Sequence, residues 1–312
     1  MSTSRPLKVV IAGGSGTLGR ALSADLTSRG HEVVVLTRSP RSDAPYREVG
    51  WDGRTVGAWV AELEDADRPV ALVNLAGRLV DVRPTPANIA DLRASRVEST
   101  QALVTASQQV PPLEHWVQAS TTAIYSDAGE DRITESSPIP DGLPQMTGVA
   151  RPWEQAVVDA NSAHLVILRT SLVLERGSPV LDRLLLLTRL GAGGKVGTGR
   201  QWVSWIHIAD WLAVVRAALG LESDVTLPSG PVIVSSEHPV RNTELMATLR
   251  RATHRRIGLP SPPPLVRLGA VALRTDPALG LTGRHCTSDV LRDLDWSYAY
   301  PTLDKALADL LG

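Results

Sequence analysis

The sequence predicts an α/β fold in which a doubly wound parallel sheet is followed by a smaller, mostly helical lobe. Near the start of the chain, a short apolar run ends in a glycine-rich turn and passes into a helical pattern. Apolar runs then alternate with helical patterns as far as residue 170, which is typical of a parallel sheet covered by helices. Beyond residue 170, apolar helical patterns are joined by glycine-rich and proline-rich links.

Composition limits the classes of function. The 312 residues carry a formal net charge of −1, which predicts neither nucleic acid nor a membrane as a partner. The one cysteine, Cys286, excludes an internal disulfide and a multi-cysteine metal site. The sequence has no signal-peptide pattern and no apolar run of about 18 residues. We therefore expect a cytoplasmic protein.

The glycine-rich turn is the strongest local signal. Gly13, Gly16 and Gly19 are spaced three residues apart, and a helical pattern begins within the turn, at Thr17 and Leu18. Gly13 permits the turn, Gly16 lets the backbone approach a ligand, and Gly19 lets the helix pack on the strand. The N–H groups at the start of the helix would then bind a pyrophosphate, as in a Rossmann sheet. A glycine-rich turn without a ligand is the alternative.

The residue after the second strand indicates which dinucleotide would bind. An acidic residue at this position, about 20 residues beyond the last glycine, would hold the ribose 2′-hydroxyl of NAD. This chain has Arg38 there, with Ser39 and Arg41 close behind. Because a guanidinium pairs bidentately with a phosphate, Arg38 favours NADP(H) over NAD(H). A solvated arginine after a strand is the alternative.

Two further stretches are candidates for cofactor contact. Asp52 follows the third strand and could accept a hydrogen bond from the adenine amino group, although aspartate also begins turns. Leu75, Ala76 and Gly77 follow the fourth strand. The small residues of this stretch would let the backbone pass close to the cofactor ribose.

The remaining elements follow from the apolar pattern. In residues 1–170, which we predict to bind NAD(P), the predicted strands are 7–12, 32–37, 47–51, 69–74, 115–119 and 164–169, and the predicted helices are 17–29, 55–63, 86–109 and 151–161. In residues 171–312 the pattern predicts a helix at 181–190, a glycine-rich loop at 191–199, a helix capped by Asp210, and a last helix with Leu303, Leu307 and Leu310 on one face. The cleft between the two parts would bind a small-molecule substrate, and a homodimer is compatible with the sequence.

Several stretches resemble the extended short-chain dehydrogenase/reductase superfamily, also called the NAD-dependent epimerase/dehydratase family. The matching stretches are 13–19, 51–53, 74–77, 95–100, 168–170, 199–210 and 300–303. Within the superfamily the chain is most similar to a subgroup of uncharacterised epimerase family proteins with a distinctive C-terminal segment. The resemblance implies a Rossmann lobe, a nicotinamide cofactor and a substrate lobe formed by the C-terminal half.

The chain departs from the catalytic pattern of that superfamily, which combines a Ser or Thr after the fifth strand with a Tyr-x-x-x-Lys pair. Thr121 matches the hydroxyl position. When Trp153-Glu154-Gln155 is aligned with the family's helix, Met146 stands at the Tyr position and Ala150 at the Lys position. No Tyr-x-x-x-Lys occurs anywhere in the sequence.

Other side chains would have to replace this pair, because a hydride transfer to or from a carbonyl needs a proton donor or acceptor within reach. We predict Thr121, Tyr125 and Ser120 as the catalytic residues, since they follow the fifth strand where ligands of an open parallel sheet bind. Lys195 and His207 are further candidates, with a surface lysine and a structural histidine as the alternatives. No metal site is predicted.

Two functions fit these observations. One is an NADP(H)-dependent oxidoreductase or epimerase/dehydratase that acts on a small carbonyl or hydroxyl compound without the usual pair. The other is a non-catalytic NADPH-binding sensor or scaffold, which the missing pair favours. The glycine turn, Arg38 and Thr121 favour the enzyme.

Overall fold

The structure, a computed structural model, describes residues 6–222 and 224–312 and is built on a seven-stranded parallel sheet with the strand order β11-β7-β5-β4-β1-β2-β3. The strands of this sheet are β1 (Lys8–Ala12), β2 (Glu32–Thr37), β3 (Arg47–Gly50), β4 (Val70–Asn74), β5 (Leu113–Thr121), β7 (Ser162–Thr170) and β11 (Gly230–Val234). Three two-stranded sheets are formed by β6 (Arg132–Ile133) with β13 (His285–Cys286), β8 (Leu172–Leu174) with β10 (Trp205–His207), and β9 (Trp202–Val203) with β12 (Val240–Arg241).

Helices cover both faces of the main sheet and form the second lobe. They are α1 (Thr17–Ser28), α2 (Pro86–Ser107), α3 (Thr147–Gln155), α4 (Pro179–Leu187), α5 (Ile208–Ala218), α6 (Asn242–Ala252), α7 (Pro263–Leu273), α8 (Ala278–Leu281), α9 (Asp289–Asp293) and α10 (Leu303–Leu311). Short 3₁₀ helices span Ala58–Leu63 and Thr122–Tyr125, and a π-helical turn spans Thr188–Ala192. No helix in the described part of the chain is both long and apolar enough to span a membrane.

The buried strand β1 shows how the sheet joins two cores. Val9 and Ile11 belong to the core that α1 and α5 cover, whereas Val10 belongs to the core that α2 covers. Successive side chains of a strand point to opposite faces, so a continuously apolar strand fits between two layers of helices. The order of the strands along the chain reverses at β1, because β2 pairs with one side of β1 and β4 with the other. Ligands of doubly wound sheets bind at such a point.

The predicted fold class is confirmed, but the sheet crosses the predicted boundary at residue 170. The last strand of the main sheet in chain order, β11, pairs in parallel with β7. Helix α5 packs Trp211 and Val214 into the core of the sheet. The sequence analysis missed β11. The second lobe has its own core, in which apolar side chains of α4, α6 and α10 meet, among them Leu181, Leu245 and Leu307.

The predicted helix at 151–161 was placed too late, because α3 begins at Thr147 and ends at Gln155. Proline is disfavoured in a helix interior. Here Pro152 lies inside α3. A proline at this position cannot donate to the carbonyl of Gly148, and Arg93 of α2 donates to that oxygen instead, at 3.0 Å. A neighbouring helix therefore replaces the missing hydrogen bond.

The predicted cap of the helix at 208–218 was also wrong. The N-cap of α5 is His207, whose Nδ1 accepts a hydrogen bond from Ala209 N at 3.1 Å. The Asp210 carboxylate instead accepts hydrogen bonds from the backbone N–H groups of Ala299 and Tyr300. Asp210 thus fastens the segment before α10 to α5.

Buried imidazoles make the stability of the fold depend on pH. Burial lowers the pKa of His31, His115, His207 and His285 below the ordinary value of 6.5. His115 lies 3.2 Å from His164, Nδ1 to Nδ1, and the two repel each other when protonated. Protonation therefore favours the unfolded chain, and stability is lost as pH falls through about 6.5.

We predict that the thermal midpoint falls between pH 7.5 and pH 5.5, and that the fall is smaller in His115→Leu. The measurement is thermal unfolding of both proteins at several pH values in buffers of equal ionic strength. The quantity compared is the slope of the thermal midpoint against pH in each protein, because the packing lost in the variant is the same at every pH. Equal slopes would contradict the role of His115.

Candidate cofactor and catalytic site

The glycine turn lies against the end of β4, at the ligand edge of the sheet. Gly13 has a φ of +78°, and a Cβ at this residue would stand 2.8 Å from the carbonyl carbon of Leu75. Leu75 N donates to Ala12 O at 2.9 Å, and Gly13 N donates to Leu36 O at 3.3 Å. The ends of β1, β2 and β4 are therefore held together around the turn, and only glycine fits at position 13.

The start of α1 is open for an anion. Gly16 is the N-cap, and no side chain caps the helix. Thr17 and Leu18, both half-buried, form the first turn, so the N–H groups at this end point out of the helix with its positive dipole end. A Cβ on Gly19 would lie 2.5 Å from the Cα of Gly14. The close contact predicted for Gly19 is thus with the turn itself.

We predict that Gly19→Ala weakens NADPH binding at least tenfold and lowers the thermal midpoint, because the added methyl group would push α1 away from the turn. Gly269→Ala is the matched control, since Gly269 lies within α7 with no atom near the position of its Cβ. Alanine is favoured over glycine in a helix interior by about 0.5–1 kcal/mol, so the control is expected to keep NADPH affinity with an unchanged or higher midpoint. NADPH fluorescence and thermal unfolding measure both effects.

The two arginines after β2 differ in their partners. Arg41 binds Glu48, with its guanidinium 3.1 Å and its backbone nitrogen 2.8 Å from the carboxylate oxygens. Arg38 is exposed and makes no hydrogen bond or ion pair to any residue that the structure describes. The guanidinium of Arg38 is therefore available to a ligand beside the turn, whereas that of Arg41 is already paired.

Asp52 is held in a turn of its own. Its Oδ1 accepts hydrogen bonds from the backbone nitrogens of Arg54 and Thr55, both at 2.8 Å, and its Oδ2 accepts one from the Thr55 hydroxyl. These bonds, that from the Thr55 backbone first, lower the pKa of Asp52. The carboxylate is exposed, so an adenine amino group would have to share oxygens that already accept three hydrogen bonds.

The stretch after β4 is fixed by buried polar groups. Asn74 donates to Thr100 and Gln118 at 2.9 and 3.0 Å and accepts a hydrogen bond from Ala76 N. Gly77 packs directly on Arg96, because a Cβ there would stand 3.1 Å from that side chain. Ala76 and Gly77 are therefore held at the edge of the sheet, and their contact with a cofactor ribose stays a prediction. The sequence analysis missed Arg96, the arginine that packs against Gly77.

Two of the predicted catalytic hydroxyls belong to a buried network. Ser120 donates to Glu154 at 2.5 Å, and Arg169 donates to both oxygens of Glu154 at 2.9 and 2.8 Å. Tyr125 accepts from Arg169 at 2.6 Å and donates to the carbonyl of Thr134 at 3.0 Å. Burial raises the pKa of Tyr125 to about 12. The structure brings these hydroxyls together, but both are already committed to protein partners.

Thr121 differs from its two neighbours. It is half-buried at the last position of β5, and its Oγ1 accepts a hydrogen bond from Ala123 N at 3.1 Å. A hydroxyl that accepts in this way can still donate its own proton. Of the three predicted residues, Thr121 is the one whose hydroxyl proton makes no hydrogen bond to the described residues.

The positions aligned with the missing pair hold no titratable group. Met146 is the N-cap of α3, and Met146 and Ala150 are 4% and 1% exposed. His207 is buried, caps α5 and lies 3.8 Å from the ring of Tyr300, centroid to centroid, so its structural alternative is supported. Lys195 is exposed in its loop. In the described ranges, no three metal-binding side chains lie close enough to hold an ion.

The chain is similar to known proteins along nearly all of its length. The model of the NAD dependent epimerase/dehydratase family matches residues 9–226. The human epimerase family protein SDR39U1 is 31% identical over 310 residues, which cover 98% of this chain and 100% of that protein. The Bacillus subtilis epimerase family protein YfhF is 30% identical over 266 residues, or 82% of this chain and 83% of YfhF.

A solved structure gives the same result. The crystal structure of human SDR39U1 (isoform 2) with NADPH superposes on this chain with a TM-score of 0.83. The two chains are 29% identical, and the match covers 97% of this chain and 99% of the human one. The arrangement of both lobes is therefore shared with a protein that binds NADPH.

Proposed function

Because the chain belongs to the NAD-dependent epimerase/dehydratase family, we propose that it is an NADP(H)-dependent oxidoreductase or epimerase/dehydratase. Its substrate would be a small carbonyl or hydroxyl compound bound between the two lobes. The observation that carries the proposal is the edge of the sheet where the start of α1, which no described side chain caps, and Arg38, which has no partner among the described residues, flank one glycine turn. The NADPH in the crystal structure of human SDR39U1 supports the choice of cofactor.

The cofactor contacts follow from this geometry. The N–H groups of Thr17 and Leu18 would hold the pyrophosphate beside Gly16, whose own N–H donates to Gly13 O at 3.1 Å. Arg38 would pair with the 2′-phosphate. NAD(H) lacks that phosphate and would leave the guanidinium unused. The stretch 75–77 would then border the nicotinamide ribose.

The chemistry would take place at the end of β5. When bound, NADPH supplies a hydride to a carbonyl carbon, and a proton must reach the carbonyl oxygen. The hydroxyl of Thr121 can donate a hydrogen bond to that oxygen and so orient it. Since Met146 and Ala150 cannot titrate, we propose that the proton comes from water held beside Thr121.

Ser120 and Tyr125 would act as positioning residues. Their hydroxyls hold Glu154 and Arg169, and thereby fix α3 against the strand that ends in Thr121. This assignment changes their predicted role from contact with the substrate to support of the residue that contacts it.

We predict that Arg38→Ala weakens NADPH binding about 10- to 100-fold, the usual loss for a charge-assisted pair of hydrogen bonds, and changes NADH binding less than twofold. Arg41→Ala is the control and is expected to change NADPH affinity less than threefold, because its guanidinium already binds Glu48. Titrations that follow nicotinamide fluorescence measure the dissociation constants of the original protein and of both variants. Equal affinities for NADPH and NADH, unchanged in Arg38→Ala, would refute the NADP(H) assignment.

We also predict that Thr121→Val lowers activity, whereas Tyr125→Phe lowers stability. On any carbonyl compound that the protein reduces, Thr121→Val is expected to lower kcat/KM about 100-fold with NADPH binding unchanged. Tyr125→Phe is expected to keep kcat within about threefold, but to lower stability by about 1–2 kcal/mol, because Arg169 loses a buried acceptor. Full turnover in Thr121→Val, or its loss in Tyr125→Phe, would reverse the two roles.

The sensor or scaffold alternative rests on the apolar side chains at positions 146 and 150. It predicts tight NADPH binding without turnover on a broad panel of aldehydes, ketones and sugar nucleotides. Oxidation of NADPH with any of these compounds would decide for the enzyme.

A further inference from the structure

An arginine of the second lobe contacts the segment that follows β5, the strand whose end carries the proposed chemistry. Arg284 precedes β13, which pairs with β6 in the loop that follows β5. The backbone on either side of that contact is bonded as well: Gly283 N donates to Asp127 Oδ1 at 3.0 Å, and Ala128 N donates to Gly283 O at 2.9 Å. Arg284 is thus fastened to the loop after β5 rather than to its own lobe alone.

The Arg284 guanidinium is only partly satisfied by the protein. Nε donates to the carbonyl of Ser126 at 2.8 Å. Nη2 lies 3.1 Å from the Thr282 hydroxyl and 3.8 Å from the sulfur of Met146. Nη1, with two N–H groups, makes no hydrogen bond to the described residues and is not among their buried unpaired atoms. The Nη1 end of the guanidinium is therefore open to a ligand.

No carboxylate of the described residues forms an ion pair with Arg284. The charge of Asp127 attracts the guanidinium, but that carboxylate accepts its hydrogen bond from Gly283 N. Arg169, by contrast, binds both oxygens of Glu154. Burial lowers the pKa of Arg284, and the neighbouring thiol of Cys286 is neutral because burial raises its pKa to about 12. A half-buried charge without an ion pair adds little to the stability of a fold, which points to a role for this arginine other than stability.

The backbone of Ser126, which contacts Arg284, has an unusual conformation. Ser126, whose carbonyl accepts the Nε–H, has φ +53° and ψ −131°, a conformation that residues other than glycine rarely adopt. Such a residue costs of the order of 1–3 kcal/mol and is found most often at functional sites. The Ser126 hydroxyl holds the turn in place through Thr147 and Leu143 N, both at 2.8 Å.

We propose that Arg284 binds a carboxylate of the substrate, and that the substrate is therefore a small oxo or hydroxy acid. The inference rests on the proposed function, because it places this group beside the reacting carbon. Arg284 touches the side chain of Met146, the position aligned with the catalytic tyrosine of the family. A guanidinium edge pairs with the two oxygens of a carboxylate. A single unpaired cation also matches the single charge of a carboxylate better than the greater charge of a phosphate.

The binding test uses pairs of compounds that differ only in this charge. The probes are 2-oxo acids of two to nine carbons, each with its methyl ester, added to the NADPH-loaded protein at pH 7.5 and followed by calorimetry. At least one acid is expected to bind tenfold or more tightly than its ester. In Arg284→Met that preference is expected to disappear, with NADPH affinity within threefold of the original protein. Arg284→Lys keeps the charge but cannot donate two parallel hydrogen bonds, so its preference for the acid is expected to lie between those of the original protein and Arg284→Met.

The stability test separates this role from a structural one. Arg284→Met is expected to leave the thermal midpoint unchanged or higher, because it removes a partly buried charge that has no ion pair. Arg169→Met is the matched control and is expected to lower the midpoint by about 5 °C or more, since it leaves Glu154 buried without its partner. Binding of an acid is expected to raise the midpoint of the original protein, and not that of Arg284→Met.

Three results would overturn the proposal. They are an absence of preference for any acid over its ester, a preference that persists in Arg284→Met, or a midpoint that falls in Arg284→Met as far as in Arg169→Met. Tighter binding of inorganic phosphate than of every acid would assign the arginine to a phosphate-bearing substrate instead. If the original protein did not bind NADPH at all, the proposed function itself would fail. Failure of the proposed function can therefore be told apart from failure of the carboxylate proposal.

Discussion

The ion pair between Glu154 and Arg169 holds the ligand edge of the sheet together. Arg169 ends the buried part of β7, Glu154 projects from α3, and the pair also binds Ser120 of β5 and Tyr125. Both partners are nearly buried, with side chains 11% and 7% exposed. Removing one charge from such a pair costs about 3–5 kcal/mol. The position of Thr121, and hence of any substrate oxygen bound there, depends on this contact.

Two buried arginines and one half-buried arginine show how differently one kind of charge can be accommodated. Arg169 has a carboxylate. Arg96 donates to the carbonyls of Leu92 and Arg78 and lies over the ring of Trp153, 5.1 Å from its centroid. Burial nevertheless lowers the pKa of Arg96 to about 10. Arg96 packs against Gly77, whereas Arg284 has only part of its hydrogen bonds satisfied and contacts Ser126 and Met146 from the second lobe. The degree to which protein groups satisfy each guanidinium separates structural arginines from one that is open to a ligand.

The sequence predicts the nucleotide half of the fold well, because the relevant signals are local. The turn at 13–19 needs glycine at Gly13 and Gly19 for contacts with its own neighbours, and β1 and β2 are continuous apolar runs. The strand β11 was missed because it begins with Gly230 and Pro231, which read as a turn. Proline is tolerated there because β11 is an edge strand that pairs only with β7.

The catalytic side of the site was harder to predict, because it depends on contacts between distant residues. Ser120 and Tyr125 look like free hydroxyls in the sequence, yet their partners are 34 and 44 residues away. Thr121, adjacent to Ser120 in the chain, points to the other face of β5 and escapes that network. Alternation along a strand thus separates a supporting hydroxyl from one that can meet a substrate, but only once the partners on each face are known.

The methionine at position 146 changes how the site could act. A tyrosine beside a lysine supplies a proton of adjusted pKa, whereas a buried methionine supplies only shape and a weak acceptor. Catalysis without that proton would rely on the orientation of the substrate and on fixed charges placed where charge develops. Arg284, whose Nη2 lies against the Met146 sulfur and whose Nη1 is open, is a fixed charge close to that position, since an arginine keeps its proton at neutral pH. The replacement of a titrating side chain by a permanent cation would favour substrates that bring their own negative charge to the site.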